Sequence, residues 1–410
     1  MGGGRHMRAE VQLPEGEPLV LDDSLLDRAI FELEQLGVRP SAAPSRLAYA
    51  AAHLVMEDAY GASPHRFDTP GAPHEIVSAI DWEATRRQRL RLSANGFGIA
   101  EAMDTAQRFS IGWEGARRLI ELCGELELPR GFVAGAGSDC APEADDAASL
   151  AQAVVEEATF IRAAGGIPVI LPLPWLTRTG CGPDETVALY RGIVEGYTGP
   201  LYIHWLGEMF LPSLAGYFPG DSFSRVMALD REKILGVKFS LLDAERERAI
   251  RRELALEGQI VLTGDDLNFS ALIAGDGNAP NDDPRQGTTV PDPASGQFSH
   301  ALLGILDAIA RPAGLALRFL DHGDRRRFRA LMEPCEELAR IIFETPTQHY
   351  KAGLAFLAWV NGHQANALLA NREDLCRDRE HYLRVLRAAA NCGVIEDATG
   401  AAGRIKSWLC

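Results

Sequence analysis

Lys233-Ile-Leu-Gly-Val-Lys238-Phe-Ser-Leu-Leu-Asp243 is followed, about twenty residues on, by Gln259-Ile-Val-Leu-Thr-Gly-Asp265-Asp266. Each is a short apolar run of strand length, and neither alternates with polar residues as a half-solvated strand would. Both therefore read as fully buried strands. Ala244–Leu256, between them, carries a helical pattern, so the unit reads as strand–helix–strand with the strands parallel. One lysine stands at the far end of the first strand and a Gly-Asp-Asp turn at the end of the second. Removing an ammonium from water is costly unless it is paired or neutralised. A lysine partly desolvated at a strand end has its proton affinity lowered, and the free amine attacks carbonyl groups.

Working outward, the same alternation recurs. Strands are expected at 46–55, 96–102, 131–137, 167–171, 201–205, 234–239, 259–263 and 302–309. Helices are expected at 82–93, 112–126, 145–164, 184–197, 222–230, 244–256 and 267–274, and Gly165-Gly166 supplies a helix stop. Eight such alternations predict an α/β chain folded as a (β/α)8 TIM barrel. A doubly wound open sheet is the alternative, but no Gly-x-Gly-x-x-Gly follows an early strand. The predicted division is 1–45, an N-terminal extension with one amphipathic helix at 24–36; 46–322, the barrel; and 323–410, a helical C-terminal region. Met1–Met7 reads as an expression scar. The Gly-, Pro- and Asp-rich segment 275–298 reads as a long loop. Coming after the seventh strand, it is expected to reach the catalytic mouth.

With 410 residues and 46% hydrophobic content the chain is long enough for one large core and an appendage. A net charge of −16 argues against nucleic acid or an anionic membrane as the main partner. No apolar run approaches the roughly 18 residues of a membrane span. Seven scattered cysteines without a Cys-x-x-Cys spacing fit reduced thiols in a cytoplasm. No cofactor motif is present.

Chemistry in such a barrel gathers at the C-terminal strand ends. Those ends carry His53, Glu101, Asp104, Thr105, Ser138, Asp139, Trp175, His204, Lys238, Asp265 and Asp266. Each has a plainer reading: Lys238 as a salt-bridge partner, Asp265-Asp266 as a helix cap, His53 as a satisfied core histidine. Glu101, an acid inside an apolar strand, needs a partner, either Lys238 or a metal.

The lysine strand and the Val261-Leu-Thr-Gly-Asp-Asp266 strand together resemble the Schiff-base strand and its successor in the dihydrodipicolinate synthase / N-acetylneuraminate lyase superfamily. Phe132–Ser138, Ser110–Glu121 and Thr345–Leu354 resemble that superfamily's third strand, the helix after its second strand, and its C-terminal Asn-Pro segment. The likeness covers about residues 46–395. It implies an imine-forming Lys238 and a homodimer or homotetramer. Three departures accompany it. Met103-Asp104-Thr105-Ala106-Gln107 stands where the superfamily has a Thr-Thr pair that holds a 2-keto-acid carboxylate. His204 takes the register of a proton-relay tyrosine, with Tyr202 two residues earlier on the same strand face. The arginine expected shortly after that strand is absent. These changes argue against pyruvate.

The reading that follows is a Schiff-base lyase, aldolase or dehydratase acting on a small carbonyl compound, sugar-derived by the acidic character of the rim. Lys238 would be its nucleophile and His204 its proton shuttle, aided by Asp104 or Thr105. Glu101, His53, Tyr202, Gly264, Asp265 and Asp266 are the expected substrate-binding set. Two alternatives remain at this point. One is a divalent-metal-dependent isomerase or epimerase built on Glu101, Asp104, His204, Asp266 and His53. The other is a catalytically silent, ligand-binding barrel.

Overall fold

The computed structural model describes residues 7–38, 45–276 and 296–410. Strands β1 (Arg8–Val11) and β2 (Leu19–Asp22) form an antiparallel hairpin, and a helix follows at Asp27–Gln35. Eight parallel strands then close into a barrel: β3 (Ala48–Ala51), β4 (Gly98–Glu101), β5 (Phe132–Ala136), β6 (Ile167–Ile170), β7 (Leu201–Leu206), β8 (Ile234–Ser240), β9 (Ile260–Thr263) and β10 (His300–Leu303). Pairing of β10 with both β9 and β3 seals the ring. The (β/α)8 barrel expected from the alternation is the fold observed.

Strand parity sorts the side chains. Tyr49, Ala51, Ala100, Val133, Val169, Tyr202, Leu262 and Leu302 fill the barrel interior. Ile99, Ala134, Ile203, Val237 and Phe239 face outward and join the core under the helices. Several helices start at an aspartate that accepts backbone N–H bonds, among them Asp81, Asp146, Asp243, Asp324 and Asp378. Helix Ala310–Asp321 follows β10 and completes the barrel's helices; beyond it, helices Arg325–Ile342, Lys351–Val360, Arg379–Ala389 and Ala398–Leu409 build the C-terminal region. The hairpin packs against the last of these, and Leu26 and Leu33 pack on Leu315 and Phe319. The N-terminal extension is thus more than one helix.

The expectation that the 275–298 segment reaches the catalytic mouth falls largely on residues that are not described. Residues 277–295 lie outside the described residues, but both ends are placed. Helix Phe269–Ala274 intervenes after β9, so the segment joins a helix to the start of β10. Asp276 N–H donates to Gln297 O at 2.8 Å, and Phe298 lies 3.5 Å beneath the Arg46 guanidinium, just ahead of β3. Both anchors therefore sit at the N-terminal face of the barrel, opposite the strand ends that carry Lys238.

Candidate active site

Lys238 lies on β8 between Val237 and Phe239, both of which face outward. Its own side chain therefore points into the barrel, level with His204 on the neighbouring β7. It is partly exposed. Among the described residues it makes no hydrogen bond or ion pair. Burial pushes its ammonium down to about 8, while the charges of Asp266 and Asp104 act in the opposite direction.

Asp266 is buried at the end of β9, its Oδ1 accepting the Ile305 N–H at 2.9 Å. Burial raises its carboxyl to about 7, against the lowering effects of that amide and of Lys238. A base and an acid whose proton affinities converge from 10.5 and 3.8 towards neutrality are a combination suited to proton transfer. The adjacent Asp265 accepts the Leu267 and Asn268 N–H groups and closes the turn. Of the Asp265-Asp266 pair read as a helix cap, it is Asp265 that bonds these amides, while Asp266 turns to Ile305. Gly264 permits close approach of β8 and β9: a Cβ there would lie 2.0 Å from Ser240 Oγ.

His204 is buried, with Nε2 3.3 Å from Ser240 Oγ and Nδ1 unpartnered. Burial, reinforced by Lys238, holds its proton affinity well below the usual imidazole range, so the ring is neutral. Tyr202 lies deeper in the barrel, where burial raises its phenol.

The turn after β4 completes the mouth. It runs between two non-glycine residues in the left-handed region, Ala102 (φ 49°) and Gln107 (φ 50°), a backbone that its surroundings must enforce. The C-terminal region enforces it. Gln107 donates to Glu373 at 2.7 Å and accepts the Ala370 N–H at 2.8 Å. Thr105 Oγ1 meets Tyr350 OH at 2.7 Å. Lys351 Nζ holds both oxygens of Asp104, at 3.2 and 3.1 Å. The Tyr350 ring stacks on Phe343 and lies against Gly304 at the end of β10. Tyr350, Lys351, Ser240 and Glu373 were missed in the sequence. A lysine at the head of an apolar helix, Lys351, was the available signal.

Two expected site residues are placed elsewhere. Glu101 follows inward-facing Ala100, so its carboxylate points outward beneath helix Trp82–Ala94. There Arg89 binds it bidentately at 2.8 and 3.0 Å, both side chains fully buried. The partner it needed is Arg89, neither Lys238 nor a metal. His53 bonds Asp307 at 2.5 Å and Gln364 at 2.7 Å. Gln364 spends its amide N–H groups on Ala355 O and Asn366 O, which leaves its oxygen facing the imidazole. His53 is thus a satisfied histidine joining β3 to the C-terminal region. Asp139 is bound by Arg108, and Trp175 donates to Asp145 O. With Glu101 and His53 removed, the five-residue metal set disperses. Among the described residues no group of three or more His, Cys, Asp or Glu is placed to hold a metal ion. Among them, too, no helix is long and apolar enough to cross a membrane.

Solved structures share this fold. Dihydrodipicolinate synthase from Oceanobacillus iheyensis superposes with a TM-score of 0.56 at 14% identity, covering 88% of this chain and 97% of its own. The Bacteroides thetaiotaomicron enzyme gives 0.57 at 13%, covering 85% and 100%. N-acetylneuraminate lyase from Fusobacterium nucleatum, solved with pyruvate, gives 0.54 at 13%, covering 84% and 96%. No curated protein sequence matches. Residues 20–410 match the family model described as protein of unknown function, DUF993.

Proposed function

We propose that this chain, which belongs to the DUF993 family, is an imine-forming lyase of the aldolase or dehydratase type acting on a small carbonyl compound. The observation that carries the reading is Lys238: an inward-facing, partly exposed, unpaired amine at the C-terminal end of a barrel strand, with its proton affinity lowered to about 8. At pH 7 about a tenth of such an amine is free, against roughly one in three thousand for an ordinary lysine.

The free amine attacks the substrate carbonyl, water leaves, and the iminium draws electrons from the neighbouring carbon–carbon or carbon–hydrogen bond. Asp266, raised to about 7, exchanges protons with the carbinolamine and the reacting carbon. His204, neutral and hydrogen-bonded to Ser240, is the second proton acceptor in reach of the lysine. Thr105 and Tyr350 supply paired hydroxyls on the opposite side of the mouth. The solved neighbours with this fold include a lyase and several synthases, which supports the reaction class. Homo-oligomerisation, as a dimer or tetramer, and a cytoplasmic location complete the proposal.

The test is intact-mass analysis after incubation with keto acids, keto-sugars and aldehydes in the presence of sodium borohydride. A reduced adduct on the parent that is absent from Lys238→Ala is expected. No adduct across the panel would remove the imine reading.

A further inference from the structure

Among the described residues, Lys238 aside, the cationic side chains nearest the mouth are already engaged by carboxylates of the chain itself. Lys351 Nζ has three protons and four oxygen neighbours: both oxygens of Asp104, Gln348 O at 2.7 Å and Glu373 at 3.5 Å. The Ile305 N–H at the end of β10 is taken by Asp266. Arg108, close to the β4 and β5 ends, is spent on Asp139, Glu157 and Gly135 O. The charges that bear on Lys238 are both negative, Asp266 and Asp104. A carboxylated substrate bound through Lys238 would bring a third negative charge to a site where, among the described residues, the iminium itself is the one positive charge not already held by a carboxylate of the chain.

What remains open is acceptor capacity. The Asp104 side chain is 39% exposed, and a carboxylate held by one lysine still has lone pairs to offer. Thr105, Tyr350 and Ser240 add hydroxyls that donate or accept. Sites built this way discriminate by charge: a hydroxyl finds both donors and acceptors here, whereas a carboxylate finds neutral donors beside the Asp104 and Asp266 carboxylates. Building on the imine reading above, we infer that the substrate is an uncharged polyhydroxylated aldehyde or ketone, and that Asp104 is the residue that selects it against 2-oxo acids.

The experiment compares borohydride-trapped adducts from dihydroxyacetone and a ketopentose with those from pyruvate and 2-oxobutyrate, at equal concentration, on the parent and on Asp104→Asn. The parent is expected to trap the polyhydroxy compounds at least tenfold faster than the oxo acids. Asp104→Asn removes one negative charge and leaves Lys351 only Glu373 as a charged partner, so trapping of pyruvate should rise at least tenfold while that of dihydroxyacetone falls. Should Asp104→Asn fail to fold, as read by thermal unfolding, protection of the parent is measured instead: xylitol should slow trapping and lactate should not. Equal or faster trapping of pyruvate by the parent, or protection by lactate, overturns the inference and leaves imine formation standing. No adduct from any of the four compounds overturns the imine reading itself.

Discussion

The chain buries charge in two places and treats it in opposite ways. Outside the barrel, Glu101 with Arg89 and Glu157 with Arg108 are fully buried side chains matched by charge and hydrogen bonds. Inside the mouth, Lys238 has no ion-pair partner among the described residues, and Asp266 bonds backbone N–H groups and feels the Lys238 charge. The first arrangement fixes the helices on the barrel. The second leaves two groups whose ionised forms are disfavoured and whose protons are available to chemistry. Burial of a charge is thus no guide to function until its partners are counted.

The contrast breaks most visibly in stability. Glu101→Ala leaves the Arg89 guanidinium buried and unpaired and should cost about 3–5 kcal/mol, read as the urea midpoint at pH 7. Lys238→Met should leave that midpoint unchanged or raise it. Lowering of the Lys238 proton affinity means that folding disfavours its charged form below about pH 8, and the substitution removes that penalty. A loss for Lys238→Met as large as that for Glu101→Ala would abolish the distinction.

Gly264→Ala tests the mouth itself. The added methyl meets Ser240 Oγ and the Phe239 carbonyl, so a loss of about 1–3 kcal/mol is expected, with slower adduct formation than in the parent. Asp266→Asn sharpens the electrostatic side. The carboxylate stabilises the Lys238 ammonium, so its removal should shift the midpoint of adduct formation against pH downward by about one unit. A rise, or no shift between pH 6 and 9, would detach Asp266 from the lysine. The smallest effect is expected at Tyr350→Phe. It keeps the stack on Phe343 and loses one hydrogen bond to Thr105, about 0.5–1.5 kcal/mol, measured by thermal unfolding.

The barrel was legible because buried parallel strands and the helices between them leave two different periodicities in the sequence. Lys238 was legible for the same reason: a charge in an apolar strand stands out. Parity would also have excluded Glu101, since Ala100 and Glu101 cannot share a face. The hairpin at residues 8–22 has two four-residue strands, too short to carry a periodic signal. For the long loop, residues 277–295 lie outside the described residues; its two ends follow from the helix at Phe269–Ala274, which was itself expected. Which of Asp265 and Asp266 turns inward depends on the turn geometry, and neighbouring aspartates look alike in sequence. Tyr350 and Lys351 reach the mouth from more than 100 residues beyond Lys238 through tertiary packing, which no local pattern encodes.

That last attachment has a consequence for how the protein comes into being. When a ribosome has released the chain as far as residue 303, all eight strands exist and the ring can close. The turn after β4 still lacks Tyr350, Lys351, Ala370 and Glu373, the groups that hold its two left-handed residues in place. A nascent barrel would carry its lysine before it carries a formed mouth. Synthesis itself therefore delays the appearance of a reactive site until roughly seventy further residues have emerged and docked.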